Sequence, residues 1–235
     1  MIDLGERLRR RAPILAVNCG GYAPPAVDAI AAAGAHALFV DCERTPVSID
    51  QVALLARIAR AAGIGALARV LHKDAATVVR TLDCGVDGLV LPQVESRAEW
   101  DAVVAAARAQ APRRAHLPVL VAQIESAAGL DRLEEIATAP GVAAILLGPN
   151  DLAISLGRPG EPDHPEVRAA LADAAARLRA LGVAFGRPAH SGTIAEEAAR
   201  GASLFYLTLA QLVAPALGDL AARAQAAGAG APDAS

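Results

Sequence analysis

The sequence predicts a single-domain α/β fold, a (β/α)8 barrel of the TIM type. Eight short apolar runs alternate with longer Ala-rich helical stretches, as repeated β/α units do. The runs are continuously apolar rather than alternating, as expected of parallel strands covered on both faces. The length of 235 residues sits near the low end for this fold, and no composition shift marks a domain boundary. An open doubly wound sheet is the alternative. It is disfavoured because Asn18-Cys-Gly-Gly-Tyr22, after the first run, lacks the G-x-G-x-x-G spacing.

In chain order the strands are read as Ile14–Asn18, Ala37–Asp41, Gly65–Arg69 (the weakest in propensity), Gly88–Pro92, Pro118–Ile124, Ala143–Gly148, Val183–Gly186 and Ser203–Leu207. The first helix, Pro25–Ala33, ends at Gly34, and the next runs from a Ser48 or Asp50 cap to Ala62 before Gly63. Asp74 caps a segment to Leu82. Ser96 caps one through Ala109, with Glu99 at capping-box spacing. Later helices are read over Leu130–Ala137, Pro165–Leu181, Ile194–Arg200 and Val213–Ala226. The barrel domain is taken as residues 1–227, and the small, polar tail Gly228–Ser235 as disordered.

Composition narrows the function. Hydrophobic residues are 54% and aromatics 3%, so the core is built of Ala, Val, Leu and Ile. Charged residues at 20% exclude a disordered chain, and a net charge of -3 argues against a nucleic-acid partner. Mean hydropathy is +0.36, yet charges or Gly and Pro break every apolar run before bilayer length. No secretory signal is visible at the start. Cys19, Cys42 and Cys84 are odd in number and unclustered, so a reduced, cytoplasmic protein is expected.

In such a barrel chemistry sits at the C-terminal ends of the strands. Those ends carry Asn18, then Asp41, Glu43 and Arg44, then Arg69 and Gln93. Gln123, Glu125, Asn150, Asp151, Arg187, His190 and Thr208 follow. Glu125 and Asp151 end consecutive strands, and two such carboxylates can hold Mg²⁺ or Mn²⁺ while leaving positions for water and substrate oxygens. Arg69 can fork onto a substrate carboxylate or an enolate oxygen. Cys42 is read as a packing residue, Trp100 as a helix residue packed on the barrel, and Arg7, Arg9, Arg10 and Arg11 as a solvated helix face.

Several motifs resemble the HpcH/HpaI aldolase/citrate lyase family. They are Phe39-Val-Asp-Cys-Glu43 with Pro46, Ala68-Arg69, Leu82-Asp-Cys-Gly85, Val90-Leu-Pro92, Gln123-Ile-Glu125 and Gly148-Pro-Asn-Asp-Leu152. They occur in family order from about Ala16 to Leu212. The resemblance implies a class II, metal-dependent aldolase or lyase acting on a pyruvate-type enolate of a small 2-oxo acid such as pyruvate or oxaloacetate. It implies Glu125 and Asp151 as ligands of Mg²⁺ or Mn²⁺ and Arg69 as the contact to the keto-acid oxygens. Asp41, Glu43 and Asp83 match acidic positions that shape the site. Gln123, Gly148, Pro149 and Asn150 match substrate-contact positions. It further implies a homo-oligomer, a trimer or hexamer, with the last helix packed on a neighbouring subunit.

Two departures stand out. The family's aldolases carry D-x-E-H after strand two, where this chain reads Asp41-Cys-Glu-Arg44. Arginine stays protonated and cannot be the base, but Arg44 can bind a second anionic group. The family's longer R-G-x-G segment after Val94 is replaced by a direct passage through Arg113-Arg114 to strand five. His190 and His72 are the replacement bases to consider, and His36, His116 and His164 read as loop residues. Three readings stay open: aldol cleavage of a 2-oxo acid, condensation or decarboxylation on oxaloacetate, and a keto-acid-binding member without catalysis.

Overall fold

Eight parallel strands close on themselves in chain order: β1 (Ile14–Asn18), β2 (Ala37–Asp41), β3 (Gly65–Arg69), β4 (Gly88–Leu91), β5 (Val119–Ile124), β6 (Ala144–Leu147), β7 (Phe185–Pro188) and β8 (Leu204–Thr208). The structure is a computed structural model and describes residues 2–109 and 117–229. The barrel is sealed where β1 pairs with β8, from Ile14↔Leu204 to Asn18↔Thr208. The register of β2 on β3 sets Asp41 directly beside Arg69. That of β5 on β6 pairs Ile124 with Leu147 and carries Glu125 up against Gly148.

Two apolar layers explain the continuous hydrophobic runs. Ala16, Phe39, Leu67, Val90, Val121 and Leu146 belong to the packed barrel interior, while Leu38, Val40, Leu89, Ala122, Ile145 and Leu147 belong to the layer against the helices. The first helix, α1 (Leu4–Arg9), closes the floor: Leu4 and Leu8 join the interior cluster. A Cβ on Gly65 would come within 2.6 Å of Leu4, so the weakest strand begins with glycine because the plug needs the space.

The helices are α2 (Pro24–Ala32), α3 (Ile49–Ala61), α4 (Ala75–Asp83), α5 (Arg97–Ala109), α6 (Ala127–Asp131), α7 (Leu133–Ala137), α8 (Pro149–Ser155), α9 (Pro165–Ala180), α10 (Ile194–Ala199) and α11 (Leu209–Ala229). Ser48 caps α3 in a full capping box with Gln51, and Asp74 caps α4. At α5 the box is altered: Ser96 Oγ accepts the Glu99 N–H at 3.3 Å, but the Glu99 carboxylate takes the Glu95 N–H. Trp100 is buried and donates its ring N–H to the Pro140 carbonyl at 3.2 Å.

Four differences from the sequence reading have physical causes. β7 starts two residues later, because the Val183 N–H still closes the end of α9 on the Leu178 carbonyl past left-handed Gly182. Leu130–Ala137 is two short helices that meet at Arg132. Helix α8 was not anticipated; Pro149 opens it and Asp151 lies in its first turn. Helix α11 begins earlier than Val213 and runs to Ala229. Residues 210–226 of α11 are all exposed. An apolar groove of about 400 Å³, lined among others by Leu15, Val17, Ile30 and Leu207, remains open where α11 leaves the barrel. Arg113, Arg114, His116 and tail residues 230–235 lie outside the described residues. Among the described residues no helix is long and apolar enough to cross a membrane.

The floor plug sets a stability expectation. Leu4→Ala empties a site that is 2% exposed, and unfolding stability in denaturant is expected to fall by about 3 kcal/mol. A loss below about 1 kcal/mol would show that α1 does not seal the barrel.

Candidate active site

A cavity of about 460 Å³ opens at the C-terminal rim, and Asp41, Arg44, Arg69, Gln123, Glu125 and Asp151 all line it. Gly148, Pro149, Asn150, Pro188 and Tyr206 complete the part of its wall that matters below.

One wall is organised by Asp41 at the end of β2. Its Oδ2 accepts from Arg69 Nη2 at 2.6 Å and its Oδ1 from Arg69 Nε at 3.0 Å. Oδ1 also accepts the backbone N–H groups of Glu43 and Arg44, at 3.2 and 3.1 Å. One buried carboxylate thus fixes both the guanidinium and the loop after the strand. Glu43 forms an ion pair with Arg69 at 3.1 Å, and the Arg69 guanidinium lies 5.8 Å over the Phe39 ring. Burial works against the charge of Arg69, but its bonds to Asp41 prevail and hold its pKa above the ordinary value.

The opposite wall holds Glu125, just past β5 and 2% exposed. Its direct partners are neutral: the Gln123 side-chain amide and the Gln93 N–H, the latter at 2.9 Å. Gln93 adopts a left-handed φ of 50° to present that N–H. Burial pushes the Glu125 carboxyl up to about 7, the Gln123 amide pulls it down, and the charge on Asp151 pushes it up again. Gly148 has ordinary backbone angles, so its role is room: a Cβ there would lie 2.6 Å from Glu125 Oε2.

Asp151 reaches the cavity from the first turn of α8. Arg44 Nη2, on a side chain 54% exposed, bridges both Asp151 oxygens at 2.7 and 2.6 Å. Arg44 therefore caps a carboxylate of its own chain. The site holds four carboxylates, Asp41, Glu43, Glu125 and Asp151, against the two guanidiniums of Arg44 and Arg69. With all four carboxylates ionised two negative charges are left over, and Gln123 Oε1 is a buried acceptor with no hydrogen-bond donor. This donor set fits one hard divalent cation. Among the described residues no three His, Cys, Asp or Glu side chains gather as a complete metal cage, so such an ion would draw its other ligands from water and substrate.

Most rim residues read from sequence do converge, but some do not. Asp83 is the last residue of α4 and is exposed. The Leu82-Asp-Cys-Gly85 motif is a helix end leading into β4, so this chain places Asp83 at the barrel's other end, away from its own cavity. Arg187 turns outward to Glu197 of α10 at 3.5 Å. His190 and His72 are exposed, and neither lines the cavity. Thr208 caps the start of α11 by accepting the Gln211 N–H. Cys42 is partly buried, with its thiol pushed up to about 11 by burial, as suits a packing residue. Sequence reasoning missed Tyr206, which read as strand core. The available signal was parity: Tyr206 lies two residues from inward Leu204 and in register with inward Ala16.

The sequence profile of the HpcH/HpaI aldolase/citrate lyase family matches residues 19–206. The chain belongs to this family. A pyruvate aldolase of Rhizobium etli is 33% identical over 199 residues, 75% of this chain and 78% of the relative. A 4-hydroxy-2-oxovalerate aldolase of Rhodococcus jostii is 36% identical over 178 residues, 66% of this chain and 69% of the relative. The crystal structure of an HpcH/HpaI family protein from Burkholderia cenocepacia superposes with a TM-score of 0.84 at 27% identity, covering 96% of this chain and 98% of the other. The HpcH/HpaI chain described above is thus a carbon–carbon lyase of the aldolase type.

The raised Glu125 carboxyl gives a pH signature. An unfolded glutamate titrates near 4.5 and the folded one near 7, so between these values the folded state binds more protons. Its contribution to stability is complete below about pH 4.5 and disappears as pH rises through 7, on the order of 3 kcal/mol. In chelator-treated protein, the stability of wild type relative to Glu125→Gln is expected to decline across that window. A pH-independent difference in denaturant titrations would contradict it.

Proposed function

We propose that this enzyme cleaves or forms a carbon–carbon bond beside a small 2-oxo acid, through a pyruvate-type enolate and with a divalent metal. The observation that carries this reading is the pairing of Glu125 and Asp151 across one cavity from a desolvated, Asp41-locked Arg69. The pyruvate-handling names of the relatives support the substrate class. Mg²⁺ or Mn²⁺ held by Glu125 and Asp151 would supply positive charge to the substrate's carboxylate and keto oxygens.

The chain's own residues do the rest. Arg69 spends Nε and Nη2 on Asp41, which leaves Nη1 to meet the substrate oxygen where negative charge grows. Because Asp41, Glu43 and Phe39 already hold the guanidinium, little reorganisation is needed as that charge develops. Gln123 keeps Glu125 oriented. Gly148 leaves the wall flat, and Pro149 and Asn150 line the place where the oxo acid sits. Arg44, the exposed guanidinium at the mouth, takes a second anionic group of the substrate.

That last role favours a second reading on oxaloacetate, by condensation or decarboxylation. The distal carboxylate would pair with Arg44, and decarboxylation needs no base at a C4 hydroxyl. Assays of pyruvate release with Mn²⁺ from 4-hydroxy-2-oxo acids and from oxaloacetate separate the two. In either, Glu125→Gln is expected to lower turnover by about a hundredfold or more, with Mn²⁺ uptake lost in calorimetry. Undiminished turnover in that variant would end the metal reading. An inert wild type that gains cleavage with Arg44→His would instead mark a lapsed member.

Helix α11 supports assembly as a homo-oligomer, a trimer or hexamer. Leu217 and Leu220 are 60% and 62% exposed on it, and the groove beside β1 and β8 lies open. Exchange of α11 between two copies covers both surfaces at once, with hydrophobic burial as the driving force. Light scattering is expected to give a multiple of the 23.8 kDa chain mass, reduced to the monomer by Leu217→Glu with Leu220→Glu. A monomeric wild type would refute the exchange.

A further inference from the structure

Aldol cleavage releases one proton from the C4 hydroxyl and consumes one at C3 of the enolate, so a single group can take the first and return the second. The cavity offers few such groups. Arg44 and Arg69 remain protonated. Asp41 has both oxygens bound by Arg69 and one also bound by two backbone N–H groups. Glu43 is paired to Arg69 and does not line the cavity. Glu125 and Asp151 are committed to the cation in the reading above. Among the described residues no histidine lines the cavity.

Tyr206 remains. Its ring is fixed edge-on against Phe39, with centroids 4.7 Å apart. Its hydroxyl oxygen accepts from Asn18 Nδ2 at 2.8 Å, and Asn18 Oδ1 accepts the Gly20 N–H at 2.8 Å. A phenol that accepts from an amide keeps its own proton to give, and no acceptor among the described residues takes it. The geometry points to Tyr206 as the proton-transfer residue of this site, replacing the histidine that Arg44 displaces. This assignment rests on the enolate chemistry proposed above.

The step balances. The first phenolate forms by loss of the Tyr206 proton to solvent and takes the C4 hydroxyl proton as the C3–C4 bonding pair becomes the enolate; the Tyr206 O–H bond then breaks, the enolate C2=C3 pair forms the new C3–H bond, and the C2 oxygen returns to a keto group. The phenolate is held by the Asn18 N–H and the nearby charge of Arg69. It then takes the C4 hydroxyl proton of the next substrate as that molecule's C3–C4 bonding pair becomes the next enolate. Burial pushes the Tyr206 phenol above its ordinary range, against the pull of its Asn18 bond, so the donor form is present at rest.

Exchange of pyruvate methyl protons with D2O, followed by proton NMR on the Mn²⁺-loaded enzyme, reads this transfer without an acceptor substrate. Tyr206→Phe is expected to slow both exchange and pyruvate release by about a hundredfold, with Mn²⁺ affinity and melting temperature unchanged. Asn18→Ala keeps the phenol but removes its orienting donor, and slows exchange by about tenfold. Wild-type rates in Tyr206→Phe overturn the assignment. If Tyr206→Phe melts early or loses Mn²⁺, Asn18→Ala decides, and wild-type exchange there overturns it equally. A wild type that neither exchanges nor releases pyruvate overturns the parent reading along with this one. An active wild type with an undiminished Tyr206→Phe overturns this one alone.

Discussion

A carboxylate buried with only neutral partners dictates the layout of this barrel's mouth. Glu125 is out of water, and the Gln123 amide and Gln93 N–H that bind it carry no charge. Such a group resists ionisation unless positive charge is brought to it. Several local oddities trace to keeping it there. Gln93 accepts a left-handed backbone to aim its N–H, and Lys73 holds that turn by donating to the Gln93 carbonyl. Position 148 is glycine because any side chain would strike the carboxylate. The strain and the lost side chain have no use in a barrel that only needs to fold; on the reading proposed above, both serve a carboxylate that would meet a cation.

The facing wall solves the opposite problem. Arg69 is a buried guanidinium, which is stable only if its charge is matched. Asp41 and Glu43 match it, and Asp41 extends the solution by gathering the loop N–H groups after β2. Removing Asp41 would free the guanidinium, release the loop and remove a neighbour of Asn18. The two walls are therefore coupled through charge as well as space. One holds a buried carboxylate with neutral partners and the other a guanidinium locked by two carboxylates.

Fold and site differ in how far the sequence discloses them. Parallel strands covered on both faces must be apolar throughout, so all eight could be placed, including β3, whose propensity is poor but whose glycine admits the α1 plug. Strand ends blur where a helix cap borrows the first strand residue, as Val183 does. Rim carboxylates and arginines stand out because polar residues are scarce in an Ala- and Leu-rich chain. Tyr206 does not stand out, since an aromatic ring inside a strand looks like core until register shows its hydroxyl at the cavity. Asp83 lies at the end of α4 and not at a strand end, because motif order cannot say which end of a β/α unit a residue occupies. Arg187 shows the same limit for side-chain direction, because a strand-end residue faces the cavity or the helices according to parity.

An arginine at position 44 does more than withhold a base. A histidine there could give and take a proton near neutrality; an arginine cannot, but it adds a permanent charge at the mouth. In this structure that charge rests on Asp151. If Asp151 holds the cation proposed above, the Arg44 guanidinium, which binds both of its oxygens, would be that cation's competitor. Its exposed stem and the Glu43 carboxylate, 3.9 Å from its Nε, give it somewhere to go. A substrate with a second carboxylate would offer it a better partner. Metal binding and capture of a dianionic oxo acid would then reinforce one another, each removing the other's competitor, which is thermodynamic linkage between the two ligands. An arginine at position 44 thus suits the dianionic oxo acids proposed above, and it cannot itself move the proton.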